Sequence, residues 1–91
     1  MLVEWKESAL DRLADIWVTV PKAAREHLER TIDRINARLA EGPAFLGESR
    51  ATEFRRVWFE HPFVIGFDYS PGQPIVYVTH VVLLRPWTAN E

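Results

Sequence analysis

At Gly42-Pro43 the spacing of apolar residues in this chain changes from three and four to two. Spacing of three and four lines one stripe of a helix, whereas alternation lines one face of a strand. A chain divided in this way segregates its helices and strands into separate layers, so an α+β domain is predicted. Ninety-one residues suit one domain, spanning residues 1–91, whose core is real but thin.

Before the break, LVEWK at residues 2–6 reads as a short strand, because Leu2 and Glu4 alternate with Val3 and Trp5. Ser8 and Asp11 have the spacing of a capping box. A first helix is predicted from about Ala9 to Val18, with Leu10, Leu13, Ala14 and Trp17 as its inner face. Pro21 suits the first turn of a second helix, where its missing N–H would be unpaired in any case, with Thr19 or Val20 as the cap. That helix runs from Pro21 to Glu41 and buries Ala24, Leu28, Ile32, Ile35 and Leu39. Gly42 would end it in a left-handed cap, and Pro43 forbids continuation.

Beyond the break, the runs 52–60, 62–69 and 75–84 are rich in Val, Ile, Phe, Trp and Tyr and are separated by His-Pro and by Ser-Pro-Gly-Gln-Pro. They read as an antiparallel meander. Phe63, Ile65, Phe67 and Tyr69 share one face of the middle strand, with Val64, Gly66 and Asp68 on the other. In the last run Ile75, Tyr77, Thr79, Val81 and Leu83 oppose Val76, Val78, His80, Val82 and Leu84. Both sets are largely apolar, as in a central strand covered on both sides. Two helices cover only one face of a sheet, so the other face is predicted to need a partner, and Phe63 and Tyr77 are candidate partner-binding residues.

Charge narrows the function classes. Eleven Lys and Arg against 13 Asp and Glu leave a net charge of −2, so any nucleic-acid contact must come from a local arginine cluster. Two clusters stand out. Arg30, Arg34 and Arg38 form a row on the second helix, either a docking stripe for a partner or RNA, or a solvated face. In RATEFRRVWFEHP, residues 50–62, Arg55 and Arg56 are adjacent on a strand and must point to opposite faces, so only one can join a given site. The alternative is that the pair solvates an edge strand. Arg50 either pairs with Glu48 at the surface or frames a cleft.

No cysteine is present, which excludes a disulfide framework and suits a reducing cytosol. His27, His61 and His80 lack metal-ligand spacing, so neither a metal nor a cofactor is predicted. No apolar run approaches the roughly 20 residues of a membrane span, and MLVEWKES lacks the features of a signal peptide. A cytoplasmic location without membrane contact is the expectation.

The series Trp5, Ile16-Trp17, Arg25, Pro43, Leu46-Gly47-Glu48-Ser49-Arg50, Arg56, Pro62-Phe63-Val64-Ile65, Phe67 and Val76-Tyr77-Val78-Thr79-His80 resembles the RelE/ParE superfamily of toxins from type II toxin–antitoxin systems, often called plasmid stabilisation proteins. The likeness covers nearly the whole chain. It implies a helical hairpin on a curled antiparallel sheet of three or four strands in the order β-α-α-β-β-β, and a cognate antitoxin that covers the open surface. It further implies growth inhibition, either by cleavage of ribosome-bound mRNA or by action on DNA gyrase. Arg56, His80 and Arg85 become the candidate catalytic residues of the first mode; Arg30, Arg34, Arg38 and Arg50 join Phe63 and Tyr77 as candidate partner contacts. The chain departs from the family where His61-Pro62-Phe63 replaces an expected arginine and where LLRPWTANE offers only Arg85 and Trp87. That departure leaves a second reading open, a non-catalytic module that dimerises or holds a partner through its sheet.

Overall fold

The computed structural model describes residues 1–43, 46–50, 52–69 and 72–84. Its elements are β1 (Leu2–Trp5), α1 (Glu7–Thr19), α2 (Lys22–Glu41), β2 (Glu48–Arg50), β3 (Thr52–Glu60), β4 (Phe63–Tyr69) and β5 (Ile75–Leu83). The α+β class and the helical hairpin are as expected. The sheet differs: it has five strands in the order β1-β5-β4-β3-β2, and β1 runs parallel to β5 while the remaining pairs are antiparallel. The extra strand, Glu48-Ser49-Arg50, is polar and short, and therefore carries no alternation to betray it.

Both helix starts differ from expectation. The capping box between Ser8 and Asp11 does not form; α1 begins at Glu7 behind Lys6, whose side chain makes no capping bond. The Lys6 amide donates to the Val78 carbonyl, so the chain leaves the β1–β5 ladder directly into the helix. Pro21 stands just outside α2 as its cap, and its carbonyl accepts from the Ala24 amide at 2.9 Å. Arg25 Nε donates to the Trp17 carbonyl at 3.1 Å and ties the second helix back to the first. At the far end Gly42 has φ −171°, extended backbone rather than a left-handed cap.

The core lies between the helices and one face of the sheet. It contains Ala9, Ile16, Val20, Leu28, Ile35 and Leu39 from the helical layer against Trp58, Phe63, Ile65, Phe67, Val76, Val78 and Val81. On α2 the position expected for Ile32 belongs to Thr31, which is buried and donates its hydroxyl to the His27 carbonyl at 3.1 Å, while Ile32 packs at the margin. On α1 only part of the expected inner face is inward: Leu13 and Trp17 pack against the core, while Leu10 and Ala14 are exposed. Ala9 and Ile16 are the buried positions, Leu13 and Trp17 are half-buried, and Leu10 is 50% exposed.

The opposite face of the sheet is not covered by the described residues. Phe59, Val64 and Val82 lie side by side across β3, β4 and β5, and Phe59 is 66% exposed. β5 therefore sits between two neighbours within the sheet but is sealed on one face only. Strict alternation along β5 also fails: Gly66 pairs with His80 and Phe67 with Val78, so Thr79 is an extra residue. This bulge resets the phase, and Val81 returns to the buried face that Val76 and Val78 occupy.

Candidate functional site

The bulge builds a chemically organised hollow among the described residues. Thr79 donates its hydroxyl to the Gly66 carbonyl at 3.2 Å, and His80 Nδ1 lies 3.0 Å from the same hydroxyl oxygen. With the hydroxyl proton committed to Gly66, the oxygen offers a lone pair to Nδ1–H, and in that tautomer Nε2 is the acceptor of the ring. Gly66 lets the strands approach closely here: a Cβ there would stand 3.1 Å from the His80 Cβ and 3.3 Å from its Nδ1, so a larger residue would push His80 by a few tenths of an ångström. The start of α1 forms the other wall, and Ser8, Arg12, Thr79 and His80 line a space of about 260 Å³. A guanidinium, a hydroxyl and an oriented imidazole round one hollow can hold an anion or accept a proton from a bound group.

Arg56 does not belong to it. The register places Arg56 beside Phe67 on the helix-covered face, whereas His80 lies beside Gly66 on the open face. The sheet separates the two. Arg56 Nε donates to the Leu46 carbonyl at 2.7 Å and Nη2 to the Gly47 carbonyl at 2.8 Å, fastening the segment before β2 onto β3. Arg56→Ala is accordingly expected to lower unfolding free energy by about 1–3 kcal/mol, because two carbonyls lose a charged donor, while His80→Ala changes it by less than about 1 kcal/mol. Urea titrations of both variants check the contrast. Equal midpoints would remove the structural role given to Arg56.

The remaining candidates disperse. Arg30 pairs with Glu26 at 2.6 Å along α2, both side chains well exposed. Arg34 and Arg38 converge on Glu60, at 3.1 and 3.6 Å, and the Glu60 side chain is only 14% exposed. Arg38 also lies over the Trp58 ring, 5.3 Å from its centroid. The arginine row thus joins α2 to the end of β3 as well as facing solvent. Arg55 turns to the open face and meets Asp68 at 3.2 Å. Phe63 is 0% exposed, which contradicts its place among the partner contacts; its ring belongs to the core. Tyr77 is half-buried on the open face, with the Lys6 ammonium 4.2 Å from its ring centroid, and with Asp68, Tyr69, Gln73 and Ile75 it lines a second hollow of about 280 Å³. Arg85 and the Arg50 side chain lie outside the described residues.

Ser8, Arg12 and Thr79 were not among the expected site residues. Gly66 was the available signal, since an isolated glycine within a strand marks a bulge or a close approach. Among the described residues no group of His, Asp and Glu is placed to hold a metal ion, and no helix is long and apolar enough to cross a membrane. No family model matches this chain, and no curated protein matches it.

Proposed function

We propose that this protein is a growth inhibitor of the RelE/ParE kind, kept inactive by an antitoxin that covers its open sheet face. The observation that supports this most is the one-sided burial of the sheet. Helices seal one face, while the other presents the cross-strand row Phe59, Val64 and Val82 beside the Arg55–Asp68 pair. An exposed apolar row rimmed by charge favours a protein partner. The arrangement also favours inhibition by binding over RNA cleavage. Arg56 spends two donors on backbone carbonyls and faces away from His80, so the two cannot act on one phosphate.

Induction of the chain alone in a growing bacterium is expected to arrest growth. The purified protein is expected to inhibit plasmid supercoiling by gyrase and to leave cell-free translation intact. Normal growth under confirmed expression would sink the proposal, and loss of translation with cut message would replace gyrase by the ribosome as target. The fastened state of Arg56 also favours a second reading, a non-catalytic module that dimerises or holds a partner through the same face. Unimpaired growth together with a stable dimer lost on Phe59→Glu would select it.

A further inference from the structure

The exposed side of α1 leaves a second apolar surface, distinct from the sheet. Leu10, Leu13, Ala14, Trp17 and Val18 line an open groove of about 480 Å³, and Val18 is 76% exposed. Their spacing is that of one helical stripe, and Leu13 and Trp17 continue inward to the core. A row of carboxylates borders it. Glu7, Asp11 and Asp15 follow one another at intervals of four, each three residues before Leu10, Ala14 and Val18 respectively, so every acid neighbours an apolar side chain of the stripe. None of the three is ion-paired among the described residues. Like charges at this interval oppose one another within an isolated helix, and cations set against them reverse the sign.

We infer that this groove receives an amphipathic helix of a partner protein whose apolar stripe is edged by lysine or arginine. Leucine-sized anchors fill the space over Ala14, the smallest side chain of the stripe, and the basic edge lies along Glu7, Asp11 and Asp15. A second copy of this chain fits less well. Antiparallel two-fold packing through the stripe would place both acidic rows on the same side, carboxylate against carboxylate.

Two synthetic helical peptides with one leucine stripe test the inference, one edged with lysine and the other with glutamate. Each is titrated against the full chain by fluorescence anisotropy at low salt. The lysine peptide is expected to bind about ten-fold more tightly, as two or three exposed charge pairs would give. Asp11→Lys with Asp15→Lys should invert the preference, and Val18→Lys should weaken both peptides; all three positions are exposed, and circular dichroism checks that the variants fold. Binding without regard to peptide charge, binding of neither, or a dimer of the chain that Val18→Lys dissolves would each overturn the inference. The purified chain is the only reagent besides peptide, so failure here leaves the growth-arrest proposal standing, and absence of growth arrest leaves the groove standing.

Discussion

Gly47→Ala is expected to lower the free energy of unfolding by roughly 2–5 kcal/mol, from the cost of a left-handed backbone for alanine and from displaced packing. Gly47 has φ +67°, and a Cβ built there would stand 2.1 Å from the Val57 carbonyl oxygen and 2.9 Å from the Trp58 Cβ. The first of these is backbone within a ladder strand and cannot swing aside. To make room, the segment before β2 must lift off β3, and the lift loosens the bonds from Arg56 to the Leu46 and Gly47 carbonyls as well as the buried Leu46 side chain. Gly72 supplies the control. It has φ +87° with nothing within 4 Å of a Cβ, so Gly72→Ala carries the conformational cost alone, about 1–2 kcal/mol. Urea midpoints of the two variants measure the difference, and a Gly47→Ala protein no weaker than Gly72→Ala would show that the approach of the segment to β3 is not tight in solution.

The layered plan and the three long strands were legible because β-branched and aromatic runs bounded by proline and glycine have few other readings. Which side of α1 faces inward was not. Its residues carry two overlapping apolar stripes, one through Ala9, Leu13 and Ile16 and another through Leu10, Ala14, Trp17 and Val18. Periodicity identifies such stripes but does not rank them. The ranking comes from the Lys6–Val78 bond, which fixes how the helix leaves the sheet edge. β5 shows a related limit, because alternation read straight through Thr79 and His80 puts Val81 on the wrong face, and only the register with β4 reveals the bulge. Of the candidate site, His80 entered only through the family resemblance, whereas Arg12 and Ser8 reach the same hollow from the other end of the chain. No local pattern encodes that meeting.

Phe63→Ala is expected to cost about 3–5 kcal/mol, the usual range for truncating a fully buried aromatic ring. In a domain of this length that corresponds to a fall of roughly 15 °C or more in Tm. The ring stands where β4 leaves the turn, opposite Glu60 on β3 and Leu83 on β5, and shares its face with Ile65 and Phe67 beneath the helices. Its removal empties a volume that no described neighbour is free to fill, since the flanking strands hold their registers on both sides. Tyr77→Ala offers the comparison from the open face, where the side chain is only partly buried and the Lys6 ammonium lies over its ring, and a loss near 1 kcal/mol is expected. Differential scanning calorimetry of the two variants separates the roles. A Phe63→Ala protein that melts like the parent would return Phe63 to the partner contacts and would mean that the ring is not held between sheet and helices; a large fall means that any partner effect of the substitution is a consequence of unfolding, because a side chain sealed on every side has no surface left to offer.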